Sequence, residues 1–311
     1  MRDMNAAANI ELVAGIDFGT TYSAYAYSYE YEQGKIFINS TWPSGVQTCK
    51  EATAILFDEN ERFVAFGEDA IDRYSDCADN DMEKKWYFFN RFKMALYQEK
   101  NGKNVNRNLM LSAANGKKMQ GLKVFSGAIN FLKDHLITNV NQRNAGNRIT
   151  VDSVRWVLTV PAIWGDSAKQ FMRESAQMAG IPSRNLIIAL EPECASLYCQ
   201  ELPAEKLGEF PDFKKAGAKY LLLDNGGGTV DVTVHQMLEG GRVKELYKAT
   251  GGAWGGTKVD EAFVKYFRDM FTERVIDELK NQNAPDWIEM MRDFEQIKRK
   301  ISNDNQDEHI E

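Results

Sequence analysis

Cysteine and histidine are scarce in this chain, and their spacing does not suit a metal site. There are four cysteines and three histidines among 311 residues. The cysteines form no Cys-x-x-Cys pair and the histidines are scattered, which argues against zinc binding. We interpret the cysteines as reduced thiols and expect a cytoplasmic protein.

The sequence also has no excess of basic residues and no long apolar run. Lys and Arg number 38 against 45 Asp and Glu, so the net charge is −7. This acidic balance argues against nucleic acid or an anionic membrane surface as a partner. No stretch approaches the ~20 apolar residues of a membrane helix, and the first residues lack the apolar segment of a secretory signal. The hydrophobic fraction of 43% is instead that of a globular protein with a core.

The order of apolar patterns predicts an α/β protein. Short apolar or alternating segments predict strands at 12–18, 22–29, 53–57, 63–66, 154–160, 186–190, 219–224 and 232–238. Helical spacing predicts helices at 125–140, 167–178, 192–200, 260–279 and 287–301, with further helix in places within 68–98. Residues 101–119 are interpreted as an exposed excursion, and the polar stretch 201–219 as the boundary between two lobes.

Two glycine-containing turns each follow an apolar strand that ends in Asp. The first reads Asp17-Phe18-Gly19-Thr20-Thr21, and the second reads Asp224-Asn225-Gly226-Gly227-Gly228-Thr229-Val230-Asp231. Glycine allows a phosphate to approach the backbone, where amides and Thr hydroxyls face the anion. The carboxylate at each strand end can hold Mg²⁺ directly or through water. A plain hairpin explains the first turn about as well, but three consecutive glycines exceed what a hairpin needs. The repeat predicts a nucleotide clamped between two similar lobes.

A third glycine-rich segment runs from Thr250 to Asp260 and contains Gly255 and Gly256. It leads into a predicted helix, so its backbone and the helix N-terminus suit an anion or a ribose. A flexible loop is the plainer interpretation of the same residues.

In this order and spacing, the three segments resemble the actin-like ATPase superfamily and, within it, the 70-kilodalton heat-shock chaperones. The intervening segments agree, since Thr159-Val160-Pro161-Ala162-Ile163-Trp164 and Leu190-Glu191-Pro192-Glu193 resemble that family's connecting strand and Glu-Pro motif. Met172-Arg173-Glu174 and the Trp residues at 164 and 254 are similar to its divergent branch, the heat shock 70 kDa protein 12-like proteins. The resemblance extends from Val13 to Ser302.

The resemblance implies an actin-like ATPase fold, α/β, with two ribonuclease H-like lobes around a nucleotide cleft. Residues 1–214 would form the first lobe, with a smaller subdomain inserted at about 42–120. Residues 215–311 would form an incomplete second lobe. A further adenosine loop and the peptide-binding domain of the chaperones are not in this sequence, so weakened nucleotide affinity is expected, and no independent peptide chaperoning.

The resemblance also implies ATP or ADP and Mg²⁺ as ligands. Asp17 and Asp224 would stand at the metal, mainly through water. Glu191 would orient the attacking water, and Lys93 would reach the γ-phosphate, although a solvated surface lysine is the alternative for Lys93. Other contacts to the nucleotide would come from Gly19, Thr20, Thr21, Tyr22, Gly226, Gly227, Gly228, Thr229, Asp231, Gly255, Gly256, Glu295, Lys298, Arg299 and Ser302. For the last four residues, an ordinary charged helix face is the alternative.

The function implied is that of an ATP-binding, slowly hydrolysing nucleotide domain of a chaperone-type stress protein. Phosphoryl transfer to water needs mainly position and positive charge, and carboxylates are weak bases at neutral pH, so slow turnover is expected. Co-chaperones or client proteins would bind through regions outside this sequence. A small-molecule kinase of the same superfamily is one alternative, and a nucleotide-sensing interaction protein with little turnover is another.

Overall fold

A six-stranded sheet forms the centre of the N-terminal lobe. The computed structural model describes residues 9–77, 84–97, 105–143, 148–202 and 211–301. Strand β1 (Leu12–Phe18) pairs with β2 (Tyr22–Tyr29) in antiparallel fashion and with β10 (Val154–Val160) in parallel, and β11 (Leu186–Leu190) continues the parallel side. The short strands β3 (Phe37–Ile38) and β4 (Glu51–Ala52) both pair with β2.

Alternation along the strands explains how this sheet is buried. In β1 the even-numbered residues from Leu12 to Phe18 are buried, and in β2 the odd-numbered tyrosines are buried. Helices α2 (Gly121–Arg143) and α3 (Asp166–Met178) share the core with these residues. The rings of Phe18 and Phe125 lie 5.8 Å apart between their centroids. The end of β1 that carries the first turn is therefore rigidly supported.

A smaller unit follows β4 and stands beside the first turn. It contains a sheet of β5 (Ala54–Phe57), β6 (Phe63–Phe66) and β7 (Tyr87–Asn90), the helix α1 (Glu68–Asp76), and a hairpin of β8 (Met110–Ser112) and β9 (Lys118–Gln120). A 3-10 helix at Phe92–Leu96 leaves β7 and carries Lys93. The rings of Tyr74 and Phe88 stack in the core of this smaller unit.

The C-terminal lobe is built on a three-stranded antiparallel sheet and three helices. The strands are β12 (Lys219–Asn225), β13 (Val230–Met237) and β14 (Val243–Gly252). Helices α5 (Thr257–Phe271), α6 (Glu273–Gln282) and α7 (Ala284–Lys298) follow, and α4 (Glu191–Glu201) lies against the sheet. Ala284 and Ile288 of α7 are buried in the same cluster as Leu56 and Phe88 of the smaller unit. Helix α7 thus bridges the cleft between the lobes.

Most of the predicted elements are confirmed, but the ten-residue strand β14 and the two-residue strands β3 and β4 were missed. There are three further differences. Strand β7 was missed within a region predicted to be partly helical, and the described part of the predicted excursion forms the β8–β9 hairpin. The prediction of a single helix at 260–279 is wrong, because the helix is interrupted at Thr272, which has a φ of 75°. Arg268 forms ion pairs across this break with Glu273 and Asp277. The apolar periodicity continues through the break, so the sequence carries no signal for it.

The predicted limits of the smaller subdomain, at about residues 42 and 120, and of the first lobe, at residue 214, stay predictions. Among the described residues, no helix combines the length and apolar character needed to cross a bilayer.

Candidate functional site

The first turn closes the β1–β2 hairpin and is held by a residue from the next strand segment. A Cβ built on Gly19 would overlap the carbonyl oxygen of Tyr22, so only glycine fits there. Thr53 supports the turn from outside, since its hydroxyl donates to the Gly19 carbonyl at 2.9 Å and its amide donates to the Thr21 carbonyl at 2.8 Å. Thr53 is a buried residue that the sequence analysis missed.

The second turn closes the β12–β13 hairpin, with Asp224 opposite Asp231 in the register. The third glycine-rich segment holds this turn through backbone hydrogen bonds. The amides of Gly255, Gly256 and Thr257 donate to the carbonyls of residues 228, 226 and 227 at 3.2, 3.1 and 2.8 Å. The amides predicted to bind an anion or ribose at Gly255 and Gly256 are therefore engaged with the second turn.

The two turns meet across the cleft. A Cβ on Gly227 would overlap the Thr21 side chain, and one on Gly228 would overlap the Thr20 hydroxyl and the Met94 sulfur. These overlaps show that the turns are already in van der Waals contact. Backbone and hydroxyl groups from both lobes therefore face each other at one point, as a two-sided phosphate cradle requires.

Carboxylates converge on a buried lysine beside the turns. Lys93 is 3% exposed, and its ammonium donates to Glu191 Oε1 at 2.7 Å. Burial raises the pKa of the Glu191 carboxyl, while the ammonium of Lys93 opposes that shift. Burial also raises the pKa of the Asp224 carboxyl, and the negative charges of Asp231 and Asp17 raise it further. The site thus concentrates more negative than positive charge, which favours a bound cation.

Asp231 connects the second turn to the N-terminal lobe. Its side chain is 1% exposed and accepts a hydrogen bond from the Ile163 amide at 3.0 Å. Burial raises the pKa of this carboxyl, and the hydrogen bonds from Ile163 and Thr229 oppose the shift. Asp231 therefore ties the turn that follows β12 to the segment that follows β10.

The carboxylates suit a hydrated cation better than one bound directly by several side chains. Among the described residues, no three Asp, Glu, His or Cys side chains come together as direct metal ligands. Mg²⁺ prefers oxygen donors and usually retains several waters, using only one or two carboxylates. Asp17 and Asp224 at the two strand ends fit that mode of binding.

The end of α7 contributes a second group of charges. Lys298 donates to Asp260 Oδ1 at 2.7 Å and also contacts Glu295. Arg91, which precedes the 3-10 helix, pairs with Asp260 at 2.5 Å and with Glu295 at 3.7 Å. Asp260 is 3% exposed. Neither Arg91 nor Asp260 was predicted, and together they join the smaller unit to α5 and α7.

Arg299 brings the end of α7 to the first turn. Its guanidinium lies 5.1 Å from the centroid of the Tyr22 ring. Burial and the charge of Glu295 raise the pKa of the Tyr22 hydroxyl, and a hydrogen bond with Arg299 opposes the shift. The structure therefore brings Tyr22, predicted at the phosphates, next to Glu295, Lys298 and Arg299, and the nucleotide contacts of these residues stay predictions. Ser302, predicted on the same face, lies outside the described residues.

A cavity of about 560 Å³ opens beside these residues, between the smaller unit and the helices of the C-terminal lobe. This volume is in the range of small-molecule sites. Its wall combines aromatic, basic, acidic and hydroxyl side chains, including Tyr22, Trp287, Arg91, Glu68, Asp260, Glu295 and Thr21.

Trp164 is a further neighbour of the cleft that the sequence analysis quoted but gave no role. The ammonium of Lys93 lies over its ring, 5.3 Å from the centroid. Trp164 is 5% exposed and follows the segment that Asp231 holds. The indole ring thus forms one wall of the pocket around Lys93.

Comparison with known proteins decides the family of this chain. The Hsp70 protein family matches residues 13–311. The chain belongs to the Hsp70 family. Its two lobes accordingly have the actin-like ATPase fold.

Its relatives among curated proteins agree with this membership. The chain is 36% identical to human heat shock 70 kDa protein 12A and 35% identical to human heat shock 70 kDa protein 12B. Both alignments cover 94% of this chain and 50% of the relative. Chaperone protein DnaK of Cenarchaeum symbiosum is 38% identical over 119 residues, which is 38% of this chain and 16% of that protein. The chain therefore spans about half the length of the heat shock 70 kDa relatives.

Proposed function

We propose that this chain binds ATP or ADP with Mg²⁺ between its two lobes and hydrolyses ATP slowly, as the nucleotide domain of a chaperone-type protein. The contact between the first and second turns carries the proposal. Thr20 and Thr21 face Gly227 and Gly228 directly, beside the carboxylates. Backbone amides at such turns suit phosphate, and the adjacent Asp side chains suit a hydrated Mg²⁺.

The roles of the turns follow from this arrangement. Thr20, Thr21 and Tyr22 on one side, with Gly226, Gly227, Gly228 and Thr229 on the other, would hold the β- and γ-phosphates. Because the two turns touch, a triphosphate between them requires the lobes to separate. We therefore expect nucleotide binding to be coupled to movement of one lobe against the other.

The roles of Lys93 and Glu191 follow from their ion pair. Mg²⁺, when bound, supplies charge neutralisation at the phosphates. Lys93 would leave Glu191 to contact the γ-phosphate, which frees Glu191 to orient and deprotonate the attacking water. A raised pKa makes the Glu191 carboxylate a better base than an ordinary one. It remains a weak base near neutral pH, which is the basis for expecting slow turnover.

The adenosine would lie in the cavity between the smaller unit and α7. Glu295 lines this cavity, while Lys298 contacts Glu295 and Arg299 contacts Tyr22, which also lines the cavity. Gly255 and Gly256 would act by holding the second turn rather than by binding the nucleotide with their amides.

The cellular setting is part of the same proposal. Cys49, Cys194 and Cys199 form no disulfide, which supports a reducing compartment such as the cytoplasm. The relatives named as heat-shock and chaperone proteins support a role in protein quality control, with clients and co-chaperones bound by other parts of such proteins.

Calorimetric titration with ATP and Mg²⁺, followed by single-turnover hydrolysis, tests the proposal. We expect one nucleotide per chain and slow release of phosphate. Glu191→Gln should retain binding and lose at least tenfold in hydrolysis, in line with the loss of a general base. The matched control is Glu201→Gln, an exposed carboxylate at the other end of α4. Absence of nucleotide binding, or equal hydrolysis by the two variants, would contradict the assigned roles.

A further inference from the structure

Lys50 is placed next to the first turn by backbone pairing. It immediately precedes β4, in which Glu51 and Ala52 pair with Ser23 and Tyr22 at the start of β2. The following residue, Thr53, then bonds to the turn itself. The backbone of Lys50 is thus held beside the first turn, although the Lys50 side chain is exposed.

The side chain of Lys50 reaches the carboxylate that ends β1. Its ammonium lies 3.7 Å from Asp17 Oδ2, and the two side chains are 59% and 47% exposed. An exposed pair at this distance is held weakly, because water screens the attraction and the lysine side chain loses rotamer freedom. The positive charge of Lys50 is also felt by Asp224, whose pKa it lowers against the effect of burial.

Lys93 and Lys50 differ in how firmly they are held. Lys93 is buried and hydrogen bonded to Glu191. Lys50 is exposed, and its one ion pair within the described part of the chain is the long contact with Asp17. If Asp17 takes part in holding a hydrated cation, Lys50 loses its carboxylate partner, and the phosphate chain of the same nucleotide would offer it another anion.

We propose that Lys50 is a second phosphate-binding lysine, which leaves Asp17 when the nucleotide and its cation bind and contacts the terminal phosphate of ATP. This assignment rests on the proposed function. In the proposed function, the terminal phosphate is the one that would lie beside Asp17, Glu191 and Asp224. ADP lacks that phosphate, so Lys50 favours ATP over ADP.

The test compares nucleotide affinities rather than turnover. Calorimetric titrations with ATP and with ADP, both in excess Mg²⁺, are made on the wild-type chain, Lys50→Met and Lys50→Arg. Lys35→Met serves as the control, because Lys35 is another exposed lysine with a carboxylate partner, Glu32 at 2.9 Å, beyond the far end of β2. Thermal unfolding of each variant verifies that the fold is retained.

We expect Lys50→Met to weaken ATP binding about tenfold and ADP binding less than about twofold, as loss of one charge-assisted contact implies. Lys50→Arg should recover most of the ATP affinity, and Lys35→Met should match the wild type. Two results for Lys50→Met would overturn the assignment and leave Lys50 as a counter-ion of Asp17. One is an equal change in the affinities for ATP and ADP, and the other is tighter Mg²⁺ binding with an unchanged preference for ATP over ADP. Failure of the wild type to bind either nucleotide would overturn the proposed function and this assignment together.

Discussion

The two glycine-containing turns have similar hairpin geometry, yet they are supported in different ways. The first turn is supported by a side chain, the hydroxyl of Thr53, together with the adjacent strand β4. The second turn is supported by backbone amides of residues 255–257 and by the side chain of Asp231. The first support depends on the hydroxyl and the amide of a single residue, while the second depends on residues small enough for two backbones to approach. Equivalent positions in the two lobes should therefore respond differently to substitution.

The largest effect is expected at Gly227, in the turn that depends on close approach. In Gly227→Val, the added side chain would project toward Thr21 from the other turn, into the space where a phosphate has to approach the backbone. A steric misfit of this kind in the complex costs roughly 1–3 kcal/mol, so we expect ATP affinity to fall by about ten- to a hundredfold. Calorimetric titration measures this loss.

Gly165→Val is the matched control, because a Cβ at Gly165 meets no other atom within 4 Å. It should bind ATP with nearly the wild-type affinity. Similar losses for the two variants would show that open space at Gly227 is unimportant for binding.

An intermediate effect is expected at Thr53, in the turn that depends on a hydroxyl. Thr53→Val preserves shape but removes the hydrogen bonds to the Gly19 carbonyl and the Ser23 hydroxyl. Leaving such buried groups without a partner costs about 1–3 kcal/mol in the free energy of unfolding. Chemical denaturation measures this loss, and ATP affinity should fall as the first turn loosens. Thr41→Val, at an exposed position, should change neither quantity, and an equal effect there would refute the role of Thr53.

The smallest effect is expected in the dependence of stability on pH, and it concerns the carboxylates between the turns. Burial raises the pKa of Glu191 above 4.5 in the folded chain. The folded state then binds more protons than the unfolded state above that pH, so this carboxyl lowers the stability of the fold as the pH rises through its folded pKa. Glu191→Gln should flatten this dependence in denaturation experiments between pH 4.5 and neutrality. If Glu191→Gln keeps the wild-type dependence of unfolding free energy on pH, another titrating group is responsible for that dependence.

Local pattern was sufficient to predict the hairpins that carry the turns. The alternation in 22–29 and the apolar run of 12–18 specify paired strands, and glycine marks the tips. The prediction that the turns of Thr21 and Gly227 approach one another came from the repeated strand-and-turn pattern and from the family resemblance, since no short-range pattern relates residues so far apart. The structure agrees with it at the level of contact between the turns.

The residues that escaped prediction act through distant partners. Thr53 carries no motif, and its role is visible only once it lies beside Gly19. Arg91 and Asp260 each belong to ordinary charged segments, and their ion pair depends on how the smaller unit meets α5. The positive φ of Thr272 has no glycine or asparagine to signal it. Local propensity gives little information about such features, because tertiary packing determines them.

A crystal structure of the chain with Mg²⁺ and a non-hydrolysable ATP analogue tests the central claim most directly. We predict that the β- and γ-phosphates lie between residues 19–22 and 226–229, with Thr21 and Gly227 further apart than the van der Waals contact described above. Nucleotide bound elsewhere, with the two turns still touching, would contradict the account.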